Sequence, residues 1–365
     1  MKALSRITVK GFKSFRELND FELKNLNILI GANGAGKSNF IKLFDMLRNL
    51  IGEKLEAYVR KAGGAENILY FGRKVTEKLE IKVFFEDESY LNGYEFILEP
   101  ANEILIFNGE RIYFQHKIKY PDKPWDEFIS NSGTETKLAQ NKNLSIEKNV
   151  LNSINKWQMY HFHDTSDTSK MKVHQKIEDQ MFFRPDGSNI AAYLFWLKNN
   201  HELYYKKIVD TIRLVAPFFD DFNLRPSKTY EGKIILEWIE KGSDHYFDAY
   251  SLSDGTLRFI CLTTLFTQPD LPATIILDEP ELGLHPYAIH MLAAMIQSAA
   301  IKTQVIISTQ SVTLLNQFEA KDVIIVERND NQTIFKRLTS EEMKGWLEDF
   351  SLGELWEKNL LGGRP

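Results

Sequence analysis

The chain has 365 residues, 43% of them apolar and 26% charged, enough for one large domain or two ordinary ones around a sizeable core. A formal net charge of -5 and a pI near 6.0 exclude a protein coated in positive charge, so any nucleic-acid contact would need a local patch or an assembly groove. The single cysteine, Cys261, excludes an intrachain disulfide and a zinc site of several thiolates, and reads as a small buried apolar residue in a reducing compartment.

From the N-terminus, the first fifteen residues alternate polar and apolar side chains instead of forming the apolar run of a secretory leader. No stretch reaches the roughly 20 consecutive apolar residues of a membrane-spanning helix, so the expectation is a cytoplasmic protein without membrane residence. Arg6 to Phe15 and Phe21 to Ile30 predict strands, and the second runs through a glycine-rich turn into an amphipathic helix, Lys37 to Leu50. Short alternating segments from Lys78 to Lys119, broken at Asn92-Gly93 and Asn108-Gly109, predict an antiparallel sheet. A polar stretch over 130–143 then precedes predicted helices at Ser145 to Trp157, Ile190 to Lys198 and Glu202 to Phe218, which together read as an inserted, mostly helical lobe.

After Lys233 strand and helix patterns alternate again, through 234–239, the apolar segment 257–266, Thr274 to Asp278, a helix near Tyr287 to Ala300, 304–308 and 323–328. That alternation predicts a mainly parallel sheet covered by helices. The expected architecture is α/β: a P-loop parallel sheet, an N-terminal antiparallel β-lobe and an inserted, mostly helical lobe. The expected boundaries are 1–120, 121–230 and 231–365. No internal repeat is present, nor heptads sustained enough for a coiled-coil arm.

Gly31-Ala32-Asn33-Gly34-Ala35-Gly36-Lys37-Ser38 satisfies the P-loop pattern between an apolar strand and a helix. Asn33, Gly34, Ala35, Gly36, Lys37, Ser38 and Asn39 are therefore the candidate nucleotide-binding residues. Glycines let backbone amides close around phosphate, Lys37 reaches the β and γ phosphates, and Ser38 ligates magnesium. Downstream, Thr274 to Glu279 is a buried-type strand ending in two carboxylates. Asp278 is the second candidate magnesium residue, holding the ion through its water shell, and Glu279 the candidate catalytic residue that polarises the attacking water. Ser253, Asp254 and Gly255 open an apolar helix, which reads either as an ordinary cap or as an anion-binding helix end.

The segment LSDGT, 252–256, resembles the signature of ABC-type ATPases, and LDEPELGLHP, 277–286, resembles the Walker B and D-loop segment of RecF-like and overcoming-lysogenization-defect-type ATPases. The chain thus resembles the RecF-like and SMC-like branch. Asn67 to Lys74, Tyr160 to Ser166, Arg184 to Asn189, Ala216 to Phe222 and Ser351 to Asn359 extend the likeness to a bacterial group often found in prokaryotic defence loci. The resemblance implies Mg-ATP as cofactor, ATP hydrolysis, and a homo-oligomer of at least two heads. In the head-to-tail pair, the signature serine of one head meets the γ phosphate held by the other. It also implies a switch that gates an effector protein from a neighbouring gene, a nuclease being one candidate, in defence or DNA maintenance, with DNA as a candidate contact.

ABC-type ATPases carry a histidine after the strand that follows Walker B, where this chain has Gln310, the third candidate catalytic residue beside Glu279 and Lys37. An amide can hydrogen-bond phosphate or water but carries no charge, which predicts slow turnover and a long-lived ATP-bound state. For the Q-loop of that family the segment near Tyr70 to Arg73 is the candidate place. His161 and His163, read on one face of a strand beside Asp164, are a metal site only if a third ligand converges. His285 either senses the opposite subunit or caps the helix that Pro286 starts. Two other functions are open: a scaffold that binds ATP for a partner with little turnover, and an ATP-gated nuclease, which the short segment after Gln310 disfavours.

Overall fold

The computed structural model describes residues 3–138, 140 and 145–363; residues 139 and 141–143 of the polar stretch 130–143 lie outside these. At the centre is a six-stranded sheet in the order Gln332–Arg337, Val323–Asn329, Leu26–Ile30, Gln304–Ser308, Thr274–Asp278, Trp157–Tyr160. From Val323–Asn329 to Trp157–Tyr160 every neighbouring pair is parallel, and Gln332–Arg337 closes an antiparallel hairpin at one edge. Asp278 pairs with Ser308, and Ser308 with Leu29, so three strand ends come level where the P-loop, the paired carboxylates and residues 309–311 begin. The carboxyl ends of parallel strands are where open α/β sheets bind ligands.

The inner strands are mainly apolar because both faces of the sheet are covered. Leu29, Ile276, Ile306, Ile324 and Val326 face one core, filled by the helix Lys37–Ile51 and an antiparallel sheet. Ile28, Ile30, Ile275, Leu277, Val305 and Ile307 face the other, filled by the helices Ile190–Asn200, Glu202–Val215, Asp254–Thr267 and Pro286–Ala300. Each fully buried aliphatic side chain contributes about 1.5–3 kcal/mol, so the position of the strand ends is heavily determined. Cys261 is buried in the second core, its thiol pushed well up by burial.

The antiparallel sheet runs Phe15–Glu22, Ala3–Phe12, Leu79–Glu86, Tyr90–Ala101, Ile104–His116, Trp125–Ser130. Several elements differ from the sequence expectation: Asn92-Gly93 and Asn108-Gly109, expected as turns, lie inside the strands Tyr90–Ala101 and Ile104–His116, and the strand predicted for Phe21 to Ile30 is interrupted between Glu22 and Leu26. The strand predicted for Arg6 to Phe15 breaks at Lys13 and Ser14: Lys13 takes a left-handed conformation, φ 48°, and Phe12 pairs with Phe15 across the turn. The helix predicted to reach Trp157 ends at Asn155, and Trp157 starts the edge strand of the central sheet, where its ring packs against Phe44 and Phe85. The helix predicted to reach Phe218 ends at Val215, since Pro217 disfavours the helical conformation at Ala216. Further on, a three-stranded sheet, Phe219–Phe222, Glu237–Glu240 and Tyr246–Asp248, leads into the segment before Ser253. Among the described residues no helix is long and apolar enough to cross a membrane.

Candidate active site

The P-loop leaves the strand Leu26–Ile30 at Gly31, where a Cβ would lie 2.1 Å from the Val326 carbonyl oxygen. At Gly36, φ 120°, a Cβ would lie 2.1 Å from Thr333 Oγ1. Thr333 Oγ1 is 2.7 Å from both the Ala35 carbonyl and Ser14 Oγ, and Ser14 Oγ accepts from Asn39 Nδ2 at 2.9 Å. The loop is thus clamped between the edge hairpin and the Lys13–Ser14 turn. The fifteen-residue helix that follows has no side-chain cap, so its first amides remain available to an anion. Asn33, Gly34 and Ser38 are exposed on that surface.

Lys37 is 5% exposed and its Nζ donates to the carbonyls of Gly31, at 2.6 Å, and Ala32, at 3.1 Å. Burial pushes its ammonium pKa down, while Glu279, Asp278 and Glu281 pull it back up. Those three carboxylates follow the strand Thr274–Asp278 or end it. Asp278 Oδ1 is buried without a hydrogen-bond partner among the described residues. Glu279 adopts φ 45°, a conformation that costs a non-glycine residue on the order of 1–3 kcal/mol and that clusters at functional sites. Its amide donates to Ser308 O at 2.8 Å, and its Oε1 accepts from Gln310 Nε2. The structure therefore brings together Lys37, Asp278, Glu279 and Gln310.

Magnesium prefers oxygen ligands and keeps several waters, so it needs one or two protein groups rather than a cage. An exposed Ser38 hydroxyl and an Asp278 oxygen lacking any partner fit that demand. The conditional metal site at His161, His163 and Asp164 does not form: the strand stops at Tyr160, and no group of three or more His, Cys, Asp or Glu among the described residues can hold a metal ion.

Ser253, Asp254 and Gly255 lie elsewhere. Ser253 Oγ accepts from the Thr256 amide at 3.2 Å as the helix cap, and none of its hydrogen bonds reaches the P-loop. Gly255 packs on the loop after Glu281, where a Cβ would lie 2.4 Å from the Gly283 carbonyl oxygen. His285 Nδ1 accepts from the Tyr287 amide at 3.3 Å and caps its helix. The segment Tyr70 to Arg73 lies along the antiparallel sheet. Leu69 bridges to Phe12 and the Tyr70 amide donates to Gly11 O, which ties that segment to the antiparallel sheet. The strand that flanks Thr274–Asp278 is Trp157–Tyr160, and it delivers His161. There Asp278 and Asp45 favour the charged imidazole, although burial and His163 hold its pKa down.

Two residues that sequence reasoning passed over are built into the site. Glu281 is buried against Thr309, and Arg258 donates to the carbonyls of Phe162, at 3.1 Å, and His163, at 3.4 Å. Each left a signal: a third carboxylate within four residues, and a lone cation in an otherwise apolar helical run.

Solved structures share this fold. A Smc head bound to the C-winged helix domain of ScpA aligns with a TM-score of 0.63 at 16% identity, covering 94% of this chain and 99% of that one. The Smc head with an extended coiled coil bound to the C-terminal domain of ScpA, derived from Pyrococcus furiosus, aligns at 0.56 and 16% identity, covering 96% and 99%. The Smc head with coiled coil and joint from Pyrococcus yayanosii aligns at 0.54 and 12% identity, covering 96% and 99%. Likeness at such identity establishes the α/β head fold. The family described as "AAA domain, putative AbiEii toxin, Type IV TA system" matches residues 26–316, from the P-loop strand to just past Gln310, and the chain belongs to that family, with the fold of the Smc heads.

Proposed function

We propose that this chain is an Mg-ATP-dependent conformational switch that hydrolyses ATP as a head-to-tail dimer. The observation that carries the reading is the convergence of Lys37, Asp278, Glu279 and Gln310 at level strand ends, while Ser253 caps its own helix and has no hydrogen bond to the P-loop among the described residues. Backbone amides of 33–38 cradle the phosphates, and Lys37 exchanges its carbonyl partners for phosphate oxygens. Ser38 and Asp278 would hold magnesium, which would supply positive charge to offset that of the phosphates. Glu279 takes a proton from water as the water oxygen bonds to the γ phosphorus and the bond to the bridging oxygen breaks, leaving ADP and phosphate. Gln310 holds that carboxylate in place. Because its amide carries no positive charge, turnover is slow. Ser253, Asp254 and Gly255 of a second copy complete the γ-phosphate site.

The family's description names a toxin of a type IV toxin-antitoxin system, and the Smc heads of known structure bind domains of ScpA. Both support a head that gates a protein partner in defence or DNA maintenance, DNA being a further candidate contact. In this reading 1–120 and 231–365, completed by the edge strand Trp157–Tyr160, form the head, and the rest of 121–230 relays its state. The neutral Gln310 also supports a second reading, an ATP-bound scaffold with little turnover.

Phosphate release separates these readings. Glu279→Gln is expected to keep ATP affinity and lose about 10²–10⁴-fold in kcat. A wild-type protein that binds ATP and releases no phosphate supports the scaffold; a Glu279→Gln variant as fast as wild type overturns the assignment of Glu279.

A further inference from the structure

The most costly side chain near the site is one that the mechanism does not use. Glu281 is 8% exposed and belongs to no salt bridge within 4.0 Å among the described residues. Its Oε1 accepts from Thr309 Oγ1, and the amides of Glu281 and Gln310 also point their dipoles at the carboxylate. Its Oε2 is buried and has no hydrogen-bond partner among the described residues. Burying a carboxylate with half its acceptor capacity unmet is unfavourable, so a position that keeps one invites a positional explanation.

The partner supplies it. Thr309 and Gln310 form the short link between the strand Gln304–Ser308 and the four-residue helix Val312–Leu315, and neither residue lies in a ladder or a helix. The Thr309 amide anchors the start of the link on Leu29 O at 3.0 Å. The Thr309 hydroxyl accepts from the Ser311 amide at 3.0 Å, which leaves its own hydrogen for Glu281. The next side chain along, Gln310, donates to Glu279 Oε1. A continuous path therefore joins Glu281 to the Glu279 carboxylate.

We infer that Glu281 is a positioning residue for hydrolysis, clasping the Thr309–Gln310 link so that the Gln310 amide holds Glu279 toward the attacking water. The inference rests on Glu279 being the group that takes the proton. Glu281 itself touches neither water nor nucleotide. Since Gly255 packs on the loop that follows Glu281, displacement of the helix Asp254–Thr267 reaches Gln310 along the same path.

Steady-state phosphate release and ATP binding by the full chain test this, using Glu281→Ala, Thr309→Val, Gln310→Ala and the Glu281→Ala/Gln310→Ala double variant. Glu281→Ala and Thr309→Val should each lose about tenfold in kcat, with ATP Kd within about twofold of wild type, the loss expected of a displaced catalytic group. Glu281→Gln keeps an acceptor for Thr309 and should recover most of the loss. A residue acting through Gln310 has nothing left to position once that side chain is gone, so the double variant should be no slower than Gln310→Ala alone. Thr309→Val cuts the same path at a buried, nearly isosteric site, so it decides the matter should Glu281→Ala fail to fold. Wild-type kcat in Thr309→Val, or additive losses in the double variant, would overturn the inference. If Glu279→Gln hydrolyses ATP normally, it is the reading of the site that falls; if Glu279→Gln is inactive while Thr309→Val and Glu281→Ala are normal, only the inference falls.

Discussion

Glu281 sets function against stability at a single position. Burial raises its carboxyl pKa above the unfolded value despite the opposing hydrogen bonds. Well below the ordinary carboxyl range both states hold the proton, and the group contributes no pH-dependent difference. As pH rises, the unfolded chain ionises first, so stability falls until the folded carboxyl ionises too, and the penalty persists at neutral pH. Glu281→Gln is therefore expected to melt higher than wild type at pH 7 and to match it near about pH 3, where both carboxyls are protonated. A variant melting lower at pH 7 would show that the carboxylate stabilises the fold. Lys37, Asp278, Glu279 and Gln310 were legible in the sequence because each sits at a fixed offset in a motif. Glu281 was not, since its role comes from burial and from Thr309, 28 residues away in the chain.

Among the elements, the strand Trp157–Tyr160 shows where pattern reading stops. Its four residues suffice for neither a helical nor a strand periodicity, and the preceding apolar spacing continued a plausible helix; only the parallel pairing of Trp157 with Thr274 and the packing of its ring on Phe44 decide the outcome. The helix Asp254–Thr267 was legible as an apolar helix with a serine cap, yet its clasp was not. Arg258, 6% exposed, joins that helix to the carbonyls of Phe162 and His163 just past the edge strand. Arg258→Ala leaves those acceptors without the guanidinium, at a cost of about 1–3 kcal/mol for each buried one left unsatisfied. Urea unfolding should show a loss of about 2 kcal/mol or more. Arg258→Lys should not restore it, because one ammonium cannot span two acceptors as a planar fork does. Unchanged stability in Arg258→Ala would mean that the segment after Tyr160 is held by other contacts.

Across the whole molecule, Ser253 caps its own helix and shares no hydrogen bond with the P-loop among the described residues. Sequence pattern conveyed the α/β head and the antiparallel sheet, because continuous apolar strands and alternating strands each leave local marks. How two heads meet leaves none. In the proposed dimer the P-loop of one chain and Ser253 of the other share each nucleotide, so neither residue works within its own chain. Light scattering should show Glu279→Gln passing from monomer to dimer on addition of Mg-ATP; a mass indifferent to ATP would refer gating to a preassembled complex. Complementation then tests the sharing itself. Lys37→Ala removes a P-loop and spares the signature, whereas Ser253→Arg does the reverse, so each homodimer lacks both complete sites. A mixed dimer regains one, from the P-loop of the Ser253→Arg chain and the signature of the Lys37→Ala chain. Equal mixing of the two inactive proteins should restore about a quarter of wild-type turnover if two-fold pairs exchange freely. Sites made within one chain would leave the mixture as inactive as its components.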